Sequence, residues 1–202
     1  VEGEDGVRGS VNYFKAFFGV KPSAIRETVI ICPIIYPSQF EKICGKKGKH
    51  YKSILSYLVA NYKNLTFIKT PMTQSAISDI VFLLKETKCR KVIFVGAIGG
   101  LKMELKIGDT FVSKKGTDIY SVKSFHEETM EKLLSLKKKG IAGIDFETRA
   151  FFRAARKIKL PAIAYYVVTD LPLKKPFYLK TSVREKEEIK RAVQRIVLEQ
   201  KD

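Results

Sequence analysis

Short apolar runs alternating with amphipathic stretches organise this chain. Thr28 to Ile35, Lys91 to Val95, residues 141–146 and residues 161–169 are strand-length runs rich in Val, Ile and Ala. Continuous apolar runs of that length predict strands covered on both faces. Between them, Thr73 to Lys88 sets Ile77, Ile80, Leu83 and Leu84 on one face at helical spacing, and residues 147–158 form a second helix. Ser182 opens a charged helix that runs to the C-terminus with Ile189, Val193, Ile196 and Val197 on its inner face. Ser10 is placed to cap a short helix carrying Tyr13, Phe14, Phe17 and Phe18 and stopped by Gly19. Packing onto the core is the ordinary fate of such aromatics, and a subunit contact is the sharper alternative.

Two further segments need more care. Tyr51, Ile54, Leu55, Leu58 and Tyr62 fit helical spacing, yet Lys63-Asn64 reads as a hairpin turn before the strand Leu65 to Thr70. Ser124-Phe125-His126-Glu127 has the form of a capping box, predicting a helix from there to Lys137-Lys138-Lys139-Gly140. Thr110 to Ser113 is a further strand, and strand 141–146, helix 147–158 and strand 161–169 read as a βαβ unit. The alternation predicts a three-layer α/β/α architecture around a mixed, mainly parallel sheet. Residues 1–202 are expected to form a single domain, with 1–27 as an N-terminal helical extension and 182–202 as the C-terminal helix.

Composition narrows the class. Lys+Arg of 38 against Asp+Glu of 21 gives a net charge of +17, which favours anionic partners, nucleic acid among them. A lysine-rich surface is the plainer explanation. Cys32, Cys44 and Cys89 lack CxxC spacing, which argues against a disulfide framework or zinc site and for a reducing, cytoplasmic setting. His50 and His126 have no partner spacing, so no metal site can be assembled. No apolar stretch is long enough to span a bilayer and no signal peptide is visible, so no membrane partner is expected. The chain opens without methionine, as a trimmed end would.

Candidate chemistry gathers where apolar runs stop. Lys91 to Val95 runs into Gly96-Ala97-Ile98-Gly99-Gly100, followed by Leu105-Lys106-Ile107-Gly108-Asp109. This is neither GxGxxG nor a P-loop, so dinucleotide binding and Walker-type phosphate binding are poor readings. What the segment offers is backbone without side-chain bulk at a strand end, where ligands of open α/β sheets bind. Residues 141–146 deliver Glu147, and Ile163 to Thr169 deliver Asp170. A helix-start acid favoured by the macrodipole is the bland reading of Glu147, and a turn-forming Asp before Leu171-Pro172 that of Asp170.

Taken together, Gly96–Gly100 with Leu105-Lys106-Ile107-Gly108-Asp109, Ile144-Asp145-Phe146-Glu147, and Thr169-Asp170 resemble the nucleoside phosphorylase and nucleosidase superfamily, which includes purine and uridine phosphorylases and methylthioadenosine nucleosidases. The resemblance spans about residues 28–172, with one large deletion. It implies that Glu147 accepts hydrogen bonds from ribose hydroxyls and that Phe146 packs on the sugar. It implies that Asp170 protonates the departing purine, with Thr169 beside it, and that Gly96, Ala97, Gly99 and Gly100 line the pocket. It also implies a strand pair around residues 51–70 and a homo-oligomer.

The chain departs from that pattern where an acceptor would bind. Cys32-Pro33-Ile34-Ile35-Tyr36-Pro37 stands in place of the superfamily's early Gly-Asp-x-x-Arg loop, and Phe94 and Ala97 replace an arginine and a serine. Residues 28–38 contain no glutamate to activate water. The stretch between Asp109 and Glu147 is short, leaving Phe125, Tyr120 or His126 as candidates to stack on a base. Arg149 and Arg153 lie one turn apart and offer an anion site, against the plainer reading of surface solvation. The loop Leu173 to Tyr178 is a lid, a subunit contact or simply a turn.

The leading expectation is cleavage of the glycosidic bond of a purine-type nucleoside by water or phosphate, with no cofactor beyond phosphate as a co-substrate. The alternatives are a non-catalytic nucleoside- or nucleotide-binding module of the same fold, and a basic nucleic-acid-binding protein.

Overall fold

The computed structural model describes residues 11–45, 47, 49–53 and 57–200. Among these residues nine strands form one mixed sheet: β1 (Thr28–Cys32), β2 (Lys49–Lys52), β3 (Leu58–Tyr62), β4 (Leu65–Lys69), β5 (Lys91–Gly100), β6 (Thr110–Ser113), β7 (Ile119–Ser121), β8 (Gly143–Asp145) and β9 (Ala162–Asp170). The strands β4, β1, β5 and β9 lie side by side and parallel at its centre. Among the described residues six helices flank them: α1 (Val11–Phe18), α2 (Pro37–Cys44), α3 (Gln74–Leu83), α4 (Met130–Lys138), α5 (Thr148–Lys157) and α6 (Val183–Glu199).

Period-two alternation on the central strands builds the core on both faces. Val29, Ile31, Val92 and Phe94 join a cluster with Phe14, Phe18, Ile77, Ile80 and Phe151 from α1, α3 and α5. Their neighbours Ile30, Cys32, Ile93 and Val95 face the other way, against Phe40 and Cys44 of α2 and Val193, Ile196 and Val197 of α6. This is the expected three-layer arrangement. The α1 aromatics take the ordinary option and pack onto the core, Phe17 stacking on Tyr57 with 5.7 Å between ring centroids. The predicted Ser10 cap, and Ile54 and Leu55 of the ambiguous segment, lie outside the described residues.

Three expectations are corrected in detail, and one ambiguity is settled. The glycine segment is a strand rather than a loop. β5 runs through to Gly100 because Gly99 and Gly100 still pair with Ile144 and Gly143 of β8 on one side, while Gly99 faces Asp170 of β9 on the other. β8 is antiparallel to β5 whereas β9 is parallel to it, so β8–α5–β9 is not a parallel βαβ unit. The ambiguous 51–62 segment takes, in its described residues, the strand form that the resemblance implies: β2 and β3 are antiparallel, and β3 turns into β4 through Lys63-Asn64, with Lys63 at φ 48°. Finally, Ser124 opens only a 3-10 turn over Phe125–Glu127, and the α4 helix begins later, capped by Thr129, whose hydroxyl accepts the Lys132 N–H.

The Leu105–Asp109 motif serves the scaffold. Gly108 N–H donates to the Val168 carbonyl, and Val168 N–H to that of Asp109, stitching the loop to β9. Gly108 sits at φ 94°, and a Cβ there would come within 2.5 Å of Glu188 on α6, so only glycine lets the loop close on that helix.

Candidate active site

At the C-terminal ends of β5, β8 and β9 lies a cavity of about 210 Å³. Ala97, Ile98 and Gly99 of β5 form one wall, and Ile144 to Glu147 a second. Thr169, Asp170, Pro172 and Phe177 form a third, with Pro33, Met72, Phe125 and Glu128 completing the lining. The structure therefore brings Glu147 and Asp170, 23 positions apart in sequence, into one hollow.

A register slip on β9 accounts for the Asp170 side. Ile98 pairs with Val168 but Gly99 pairs with Asp170, so Thr169 is an extra, bulged residue. In a regular strand adjacent side chains face opposite sides of the sheet; the bulge re-aims them, and both Thr169 and Asp170 line the cavity. Burial pushes the Asp170 carboxyl up to about 6, opposed by hydrogen bonds from the Phe177 N–H and the Thr169 hydroxyl. That value suits a group that gives up a proton near neutrality.

At the end of β8 the acids divide the work. Asp145 is 5% exposed and fully engaged. Its carboxylate accepts from the Ser121 hydroxyl at 2.7 Å, from the Thr148 N–H at 2.9 Å, and from the Thr148 hydroxyl. Tyr166 OH donates in turn to the Thr148 hydroxyl, and Arg149 N–H to that of Ser121. Asp145 thus satisfies the first turn of α5, a task a helix start would otherwise assign to Glu147. Glu147 makes no capping bond. It is 3% exposed, accepts only a 3.3 Å bond from Phe146 N–H on Oε2, and leaves Oε1 buried without a hydrogen-bond partner. Burial first, then the charge of Asp145, pushes the Glu147 carboxyl up to about 8. A buried polar atom without a partner is costly, and such atoms mark places where a ligand completes the bonding.

The other candidates sort themselves by position. Gly99 lines the cavity, and a Cβ there would lie 2.6 Å from Pro172 Cγ. Gly96 and Gly100 are not among the lining residues, contrary to expectation. Gly96 is buried with the Phe94 ring 2.4 Å from where its Cβ would be, and Gly100 backs onto Leu171 and Val168, so both serve packing. Of the three candidates for stacking, Phe125 lines the cavity, its ring 4.7 Å from both Phe146 and Phe177. Tyr120 instead accepts from Lys132 Nζ away from it, and His126 is exposed. The side chain of His50 lies outside the described residues. Arg149 and Arg153 are exposed on α5 and line no part of the cavity. Among the described residues no group of acids, cysteines and histidines could hold a metal, and no helix is long and apolar enough to cross a membrane.

Sequence reasoning missed Glu128, because the expected helix from Ser124 would have made it an ordinary first-turn acid. A larger, open hollow of about 530 Å³ runs between α2 and α6, but none of the buried polar side chains lines it. Convergent desolvated polar groups mark a site better than volume does, and they belong to the smaller cavity.

The fold is that of the nucleoside phosphorylases and nucleosidases. The chain superposes on AMP nucleosidase from Bacteroides thetaiotaomicron with a TM-score of 0.69 at 15% identity, over 94% of this chain and 96% of that one. Uridine phosphorylase from Vibrio fischeri gives a TM-score of 0.70 at 19% identity, over 86% and 90% of the two chains. The same enzyme in complex with 6-hydroxy-1-naphthoic acid gives 0.66. No family model matches the chain, and no curated protein matches it in sequence.

Proposed function

We propose that this protein cleaves the glycosidic bond of a purine-type nucleoside. The observation that carries the reading is the shared cavity of Glu147, with its unpartnered oxygen, and Asp170, poised near neutrality. Glu147 takes the ribose hydroxyls, which supply the donors Oε1 lacks; Phe146 covers the sugar, and Ala97 and Gly99 let it approach the sheet. Asp170 gives its proton to a ring nitrogen of the base as the C1′–N bond breaks and its electron pair moves into the ring. The acceptor oxygen, from water or phosphate, bonds to C1′, and the proton that water sheds passes to solvent. Donation by the ribose hydroxyls favours the ionised form of Glu147, and fixing the sugar with that charge beside it favours the oxocarbenium character of the transition state.

A second reading, a nucleoside-binding module without turnover, draws on one observation: the cavity lining contains four carboxylates and no Lys, Arg or His, so a phosphate acceptor finds no cation on this subunit's walls. The homo-oligomer is proposed on the apolar surface near the mouth, where Met72, Phe125, Phe177 and Tyr178 are all more than half exposed; light scattering tests it. Binding of nucleic acid rests on the +17 charge alone.

The deciding assay is free-base release from adenosine, inosine, uridine and methylthioadenosine, with and without phosphate. Release that is lost in Glu147→Gln and in Asp170→Asn supports cleavage at this site. Binding without release supports the second reading.

A further inference from the structure

Glu128 sits three residues after Phe125 on the 3-10 turn that precedes α4, and its N–H donates to the Phe125 carbonyl at 3.1 Å. Side chains three apart on such a turn eclipse one another, and Phe125 and Glu128 accordingly line the same cavity. Phe125 lies against Phe146 and Phe177, each at 4.7 Å between ring centroids, so the turn contributes an aromatic surface with a carboxyl group beside it. Asp170 lines the same hollow from the end of β9. Burial raises the Glu128 carboxyl, and the charge of Asp170 raises it further. In the reaction proposed above Asp170 carries the proton, which leaves Glu128, on the wall of the same cavity, as the acceptor beside it.

One protonated and one ionised carboxyl group present a donor next to an acceptor. The complementary edge of a purine is N7 with a 6-amino group, an acceptor beside a donor; a 6-oxopurine offers two acceptors, N7 and O6. Resting on the nucleoside-cleaving reading above, we propose that Glu128 determines the base, accepting the exocyclic N–H of a 6-aminopurine while Asp170 serves N7. The preferred ligand is then a 6-aminopurine nucleoside, and a 6-oxopurine would turn its O6 towards the Glu128 carboxylate.

The test is the ratio of affinities for adenosine and inosine, measured by calorimetry on the full chain without phosphate, and as a ratio of kcat/KM wherever base is released. The wild-type protein favours adenosine by about 10- to 100-fold, the discrimination typical of a paired polar contact to a base edge. Glu128→Gln, whose amide can donate to O6, narrows or reverses the ratio by improving inosine. Glu128→Ala narrows it by weakening adenosine, and circular dichroism melts confirm that both variants are folded. Equal affinities in the wild type, or a ratio unchanged in both variants, overturns the role of Glu128 and leaves nucleoside binding standing. Failure of both nucleosides to bind overturns this inference together with the reading on which it rests.

Discussion

Asp145 and Glu147 stand two residues apart at the end of one strand, both nearly free of solvent, and their surroundings are opposite. The Asp145 side of the backbone is closed: Ser121 and Thr148 donate to it, and the Arg149 N–H and Tyr166 OH fix those two in turn. The Glu147 side is open: one weak bond, one bare oxygen, and a cavity shared with Asp170 and Glu128. Burial alone therefore says little about the purpose of an acid. What separates the two carboxyl groups here is whether the fold itself supplies the donors.

The largest effect should fall on the open side. Glu147→Gln keeps the shape but exchanges one acceptor oxygen for a donor, so it cannot receive both ribose hydroxyls. A loss of about 10²- to 10³-fold in base release is expected, in the range for removing one transition-state contact, with the melting temperature unchanged or raised. Loss of turnover accompanied by unfolding would erase the contrast with Asp145.

The closed side should answer in stability. Asp145→Ala removes the cap of α5 and strands the buried hydroxyls of Ser121 and Thr148. A helix cap contributes about 1 kcal/mol and each stranded group about 1–3 kcal/mol, so urea unfolding should show a loss of about 3 kcal/mol. If Asp145→Ala melted normally but lost activity, the two acids would have to exchange roles.

The two sides also differ in how pH reaches stability. The folded carboxyl of Glu147, raised to about 8 from an ordinary 4.5, holds its proton where the unfolded chain releases it. Stability contributed by the protonated form is present in full below about 4.5 and is lost as pH rises towards 8 and beyond. Glu147→Gln cannot ionise, so wild type and variant should diverge across that window, the wild type weakening relative to the variant by up to a few kcal/mol. Paired thermal melts from pH 4 to 9 measure the divergence; parallel curves would show that Glu147 titrates normally.

Much of this site was legible in the sequence, for a physical reason. Val92 to Val95 and Ile163 to Val168 are covered on both faces, so they read as apolar runs, and the acid that ends such a run stands out. Glu147 and Asp170 each end such a run and share the cavity, and Phe125, one of the three stacking candidates, lines it too. What failed depended on pairing or on local geometry that composition does not encode. Gly99 and Gly100 read as a loop, but neighbours on both sides hold them in β5. The opposite direction of β8 is invisible in a three-residue strand. Glu128 was hidden because Ser124-x-x-Glu127 meets the capping-box pattern, yet Thr129 is the residue that caps the helix.

The smallest predicted effect is the sharpest probe of the division. Ser121 touches Asp145 from β7, on the side away from the cavity lining. Ser121→Ala removes one donor to the carboxylate and one acceptor for Arg149 N–H, while Thr148 keeps both of its bonds to Asp145. The expected cost is about 1 kcal/mol in urea unfolding, with base release within twofold of the wild type. The two networks meet through the Glu147 N–H on the Asp145 carboxylate, the Phe146 backbone and the charge of Asp145 on Glu147, none of which involves Ser121, so weakening the outer one should barely register at the ligand. A tenfold loss of activity from this substitution would mean that the network around Asp145 sets the geometry of Glu147, and the closed side would then count as part of the site.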